Sequence, residues 1–109
     1  MKIFAMALMI APTICLAASP SKALSTRAVA AVKLKLTDPD SAKFEGLRLG
    51  NSPANNVVCG LVNAKNQLGG YAGRKVFYYF DAKPPIVVVQ GDASMEHTIP
   101  VMCPGFATP

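Results

Sequence analysis

The stretch Lys75-Val76-Phe77-Tyr78-Tyr79-Phe80-Asp81-Ala82-Lys83-Pro84-Pro85-Ile86-Val87-Val88-Val89-Gln90 decides the fold. Two runs of β-branched and aromatic residues flank a short segment with two prolines, which is the composition of two strands joined by a turn. Alternation along the first run puts Phe77 and Tyr79 on one face and Tyr78 and Phe80 on the other, and one of those faces is expected to be core. Val87, Val88 and Val89 form an unbroken apolar run. Such a run predicts a strand covered on both faces, or one that the C-terminal segment holding Cys103 must cover.

Nearer the N-terminus, Gly46–Leu49 and Asn56–Ala64 have the same extended character. The connections at Gly50-Asn51-Ser52-Pro53, Gln67–Gly73 and Asp81–Pro85 have lengths that join antiparallel neighbours. Upstream, Ser25 or Thr26 caps a predicted helix over about residues 25–37, in which Val29, Val32 and Leu36 recur at helical spacing beside Ala28 and Ala31. Leu34 falls on the far face of that helix. Asp38-Pro39-Asp40 resembles a second helix start, with Asp38 as cap, Pro39 in the first turn and Asp40 near the positive end of the dipole, leading into a short helix through Ser41 to Phe44. The expected architecture is therefore α+β, with one N-terminal helix packed on a small antiparallel sheet of about four strands in a single domain over residues 24–109.

The first residues predict export. Lys2 precedes an apolar or small run from Ile3 to Leu16, about 14 residues, too short for the roughly 20 that span a bilayer, and small residues follow it at once. Removal by signal peptidase is expected after Ala17, Ala18 or Ala23, with no stable membrane span left. Cys15 lies near the end of the apolar run, but Ile14 occupies the place where a lipoprotein signal needs a small residue, so Cys15 is expected to leave with the leader. Two cysteines then remain in an oxidising compartment, and one pairing is possible, Cys59 with Cys103. A metal is not expected, because His97 is the single histidine and no C-x-x-C pair occurs.

Charge narrows the partners. The formal net charge is +5, and cleavage after Ala23 leaves nine basic against six acidic residues, about +3. Among the basic residues only Arg74 and Lys75 are adjacent, with no alternation of basic and aromatic groups, so nucleic acid is not an expected partner. The candidate functional stretch runs from Cys59 to Gly73. Gly69, Gly70 and Gly73 give its backbone unusual freedom, and Asn63, Lys65, Asn66 and Tyr71 offer hydrogen bonds, a positive charge and an aromatic face suited to a sugar, a peptide or an anion. The same residues also fit an ordinary hairpin loop whose asparagines bond local backbone.

Asp38-Pro39-Asp40-Ser41-Ala42-Lys43-Phe44, taken with the Cys-Gly-x-Val-Asn-x-Lys-Asn-x-x-Gly-Gly-Tyr-x-Gly segment from Cys59 to Gly73, resembles a group of small exported bacterial proteins without an assigned activity. The resemblance covers about a third of the mature chain and implies an export leader and an envelope or extracellular location. It supplies no catalytic residues and no cofactor.

Catalytic patterns are sparse. His97 lies near Ser94, Glu96 and Thr98, but no Gly-x-Ser-x-Gly elbow occurs, and His97 is expected on a surface loop. Asp38 and Asp40 make a possible carboxylate pair, for which helix capping around Pro39 is the better account. The favoured reading is a binding or interaction module with a protein or glycan partner, needing no cofactor and using the Gly-rich loop. The alternatives are a small envelope hydrolase and a structural envelope component.

Overall fold

The computed structural model describes residues 18–91 and 94–106, so the predicted leader up to Ala17 lies outside the described residues. Helix α1 (Lys22–Lys33) precedes four strands, β1 (Lys43–Leu49), β2 (Val57–Asn63), β3 (Lys75–Phe80) and β4 (Ile86–Val89), and a short helix α2 (Ile99–Met102) follows. The strands form one antiparallel meander in the order β1-β2-β3-β4. Among the described residues no helix is long and apolar enough to cross a membrane.

Two expectations about local structure are corrected. The helix begins earlier than Ser25, because Ser21 is its cap: the Ser21 hydroxyl accepts a bond from the Leu24 amide at 3.2 Å, and Leu24 is then buried on the sheet. The helix also ends before residue 37. The Lys35 and Leu36 amides bond three residues back, to Val32 and Lys33, and the last turn tightens into a bend that leaves Leu34 exposed on the far side. The segment after Asp38 is a single 3-10 turn, Pro39–Ser41, and Asp38 makes no side-chain cap bond there. The Ser41 hydroxyl instead donates to the Asp38 carbonyl at 2.7 Å, and the chain extends from Lys43, so that Phe44 lies in β1 and meets Phe77 edge to face with ring centres 5.7 Å apart.

The sheet is covered on both faces. On one side α1 lays Leu24, Ala28 and Val32 over Val58, Val62, Phe77 and Tyr79, with Leu47, Val87 and Val89 completing the layer. On the other side the segment from 94 to 106 covers Val57, Cys59, Val76, Tyr78 and Val88 with Ile99, Met102, Cys103 and Phe106. Both faces of β3 are thus core, where one had been expected, and the valines of β4 alternate between the two layers as a doubly covered strand requires. The second layer is fastened by the disulfide Cys59–Cys103, whose Cα atoms lie 5.8 Å apart, and by a bond from the Asn51 amide to the Met102 carbonyl at 2.8 Å. The Thr98 hydroxyl donates to the Met95 carbonyl, so it accepts from the buried Tyr78 hydroxyl at 2.6 Å.

Gly60, in the middle of β2, is required by close approach. A Cβ there would lie 2.7 Å from Leu47 Cδ2 and 2.9 Å from two atoms of the Phe77 ring, which crosses the glycine from the neighbouring strand.

Candidate functional site

The loop from Asn63 to Gly73 continues the β2–β3 hairpin. Lys65 pairs with Tyr71 in an isolated bridge, the Ala72 amide bonds the Ala64 carbonyl, and the tip closes with the Gly69 amide on the Asn66 carbonyl at 3.0 Å. Asn66 Oδ1 accepts from the Leu68 amide and Asn63 Oδ1 from the Gly73 amide, at 2.9 and 3.1 Å. Both asparagine oxygens therefore serve loop geometry, leaving their amide NH2 groups as donors. Gly69 and Gly73 have φ of +82° and +98°, a region that side chains disfavour. Leu68 stands at the tip almost fully exposed.

The 3-10 turn after Asp38 clasps the base of this loop. Ser41 Oγ accepts from the Lys65 amide at 2.8 Å, and the Tyr71 hydroxyl donates to the Ser41 carbonyl at 3.2 Å. Lys43 Nζ lies 4.6 Å and Lys65 Nζ 5.7 Å from the centre of the Tyr71 ring, which is 42% exposed and so flanked by two cations. The Asp38–Phe44 stretch and the Gly-rich stretch, distant in sequence, thus meet in space. An exposed ion pair between Glu45 and Arg74 at 2.8 Å, each one residue beyond these stretches, ties the chain together just past the clasp.

Beside the clasp a cleft of about 270 Å³ opens where α1 stops short of the end of the sheet. Val62, Val87, Val89 and Leu36 give it an apolar lining, and Lys35, Lys65, Lys75, Asn66, Gly73 and Gln90 surround them. No acidic side chain lines it among the described residues. Lys65 belongs to both places, as wall of the cleft and neighbour of Tyr71. Of the residues expected to bind, Lys65, Asn66 and Gly73 line the cleft; Tyr71 sits on the adjoining platform, and Gly69 and Gly70 lie toward the tip. Sequence reasoning missed Lys35, Lys43, Lys75, Ser41 and Gln90. The signal available for the lysines was several cations at the ends of separate elements, which has meaning only once the register is known.

At the opposite end of the domain Arg27, Tyr79 and Asp81 form a clip between α1 and the turn after β3. Asp81 accepts from the Tyr79 hydroxyl at 2.7 Å and from Arg27 at 2.9 Å. Those bonds, Tyr79 first, hold the Asp81 carboxyl below its ordinary range; burial, and then Asp81, push the Tyr79 hydroxyl up. His97 is exposed in the 3-10 turn Glu96–Thr98, and among the described residues no cluster of three His, Cys, Asp or Glu could hold a metal ion. No family model, no curated protein and no solved structure matches the chain.

Proposed function

We propose that the protein is a binding module of the cell envelope or extracellular space that holds an anionic ligand at the Gly-rich loop. The observation that carries this reading is the lysine-rimmed cleft: Lys35, Lys65 and Lys75 surround an apolar floor, and no acid lines it among the described residues. A small concave site with an apolar base and a few convergent polar groups is the usual form of a ligand pocket. Tyr71 adds a rigid aromatic surface beside Lys65, a residue type that supplies contact area at low entropic cost. The disulfide fits an oxidising compartment, and the leader pattern before Ala18 fits delivery to one.

Titration of the ¹⁵N-labelled domain with inorganic phosphate and with hexanoate tests the reading. Amide shifts should concentrate at Lys35, Lys65, Gly73, Lys75 and Gln90 and spare the segment from 94 to 106. Lys65→Ala combined with Tyr71→Ala should weaken binding by about thirtyfold, the loss of roughly 2 kcal/mol typical of an interface anchor, while thermal stability moves little because both side chains are partly exposed. Shifts scattered over the surface, or a double variant that stays folded and binds unchanged, would place the site elsewhere.

A further inference from the structure

The two edges of the sheet are treated differently. At the β1 edge the outward Leu49 amide donates to the Ala18 carbonyl at 2.8 Å, and a bulge between Glu45 and Arg48, with Gly46 at φ +66°, interrupts the strand. Such coverings and bulges are how natural sheets keep an edge from recruiting another strand. β4 has neither device. The Gln90 amide donates to the Val76 carbonyl at 2.8 Å, which fixes the phase of the β3–β4 ladder. Paired residues in an antiparallel ladder alternate between bonded and unbonded, so Ile86 and Val88 face β3 while Val87 and Val89 turn their amides and carbonyls outward. No described residue bonds to these outward groups. The side chains of the same two valines line the cleft, and Lys75 Nζ stands at the Gly91 end of the strand, 3.9 Å from where a Gly91 Cβ would be.

We propose that the ligand of the cleft is an extended, acidic polypeptide segment, which adds to Val87 and Val89 as a fifth strand and places a carboxylate among Lys35, Lys65 and Lys75. This rests on the reading of the cleft as a binding site. An added strand satisfies the open backbone groups and directs alternate side chains onto the Val87 and Val89 side of the cleft floor, so that backbone bonds supply affinity and the cleft supplies selection. The charge of the rim selects an acidic segment over a basic one. The volume of about 270 Å³ takes a side chain or two, not a folded surface.

The test uses the intact oxidised domain and an acetylated hexapeptide of alternating valine and threonine that ends in two glutamates. One control replaces the glutamates by glutamine, and another carries N-methyl groups on alternate backbone amides. Hydrogen exchange at the Val87 and Val89 amides should slow about tenfold or more with the acidic peptide, N-methylation should abolish the effect, and both the glutamine peptide and Lys35→Glu with Lys75→Glu should weaken binding at least about tenfold. If the peptide shifts the cleft resonances without protecting Val87 and Val89, strand addition is wrong and the anion site stands. If the peptide is silent while hexanoate still binds, the ligand class is wrong. If hexanoate and phosphate are silent too, both readings fall. Protection that appears in the protein alone and grows with its concentration means that a second copy occupies the edge, which overturns the peptide assignment.

Discussion

Replacing Cys59 and Cys103 together by alanine should lower the unfolding free energy by about 4 kcal/mol. The two residues are 44 positions apart, and closing a loop of that length removes on the order of 13 cal/mol/K from the unfolded ensemble in the chain-entropy account, which is about 4 kcal/mol at 25 °C. Domains of this size have total stabilities of roughly 5–15 kcal/mol, so the variant should be marginal, with a midpoint lower by roughly 15–30 °C at 4–8 °C per kcal/mol. Alanine is preferred to serine because both positions lie in the apolar layer under Ile99 and Met102, where an unpaired hydroxyl would add its own cost. Guanidinium unfolding followed by circular dichroism and tyrosine fluorescence reads the effect, and the slope of the transition reports on the segment from 94 to 106. An unchanged slope with a lower midpoint means the segment still covers Val57, Val76, Tyr78 and Val88; a smaller slope means it has already left them in the native state. A loss below about 1 kcal/mol with an unchanged slope would refute the argument, since the segment would then be held by packing without help from loop closure.

Gly60→Ala should cost about 1–3 kcal/mol in the same assay, because the added methyl enters the space of the Phe77 ring and Leu47; wild-type stability would mean that the ring moves aside freely. Asp81, whose carboxyl is held low by Tyr79 and Arg27, stabilises the fold above the usual carboxylate range and loses that contribution as pH falls through its lowered folded value. Tyr79, held high by burial, gives a matching loss as pH rises through its raised folded value. Midpoints measured from pH 2 to 11 should therefore fall at both ends, and Asp81→Asn should flatten the acid limb; an acid limb identical to wild type would assign it to other groups. Leader removal after Ala17 would keep the Ala18 carbonyl that bonds Leu49 and the Ser21 cap of α1, whereas removal after Ala23 would lose both. Intact mass of exported protein should accordingly begin at Ala18, and a start at Leu24 would show that the fold does without them.

The strands were legible because their signal is local. β3 has the boundaries its residues predict, β2 is shorter than expected by one residue at each end and β4 by one at its C-terminal end, since each is a run of β-formers bounded by Gly, Pro or Asn. β1 was half missed. Asp-Pro followed by Asp and Ser carries the marks of a helix start, but one turn satisfies them, and the need of Phe44 to pack on Phe77 draws the chain into the sheet from Lys43 onward. The helix start was misplaced because Ser25 or Thr26 was read as the cap in place of Ser21, which left Leu24 out of the apolar stripe. The Cys59–Cys103 pair followed from counting once an oxidising route was assumed. The cleft was not legible at all. Its walls come from residues 35–37, 62–66, 72–75 and 87–91, which become neighbours only through the order of the strands and the point at which α1 stops.

Because both faces of the sheet are covered, neighbouring residues along β2 and β3 belong to separate interiors. Val57 and Val58 are consecutive, yet Val57 packs under the disulfide-bound segment and Val58 under α1, while Val58 and its cross-strand partner Tyr79 share one interior. The backbone acts as a partition. Energetic distance in this protein should therefore not follow sequence distance: Val57→Ala and Val58→Ala should add to within about 0.5 kcal/mol, whereas Val58→Ala and Tyr79→Ala should couple by roughly 0.5–3 kcal/mol. A chain built this way can revise one interior while the other stays intact, so that a loss of packing against α1 leaves the layer closed by Cys103 undisturbed.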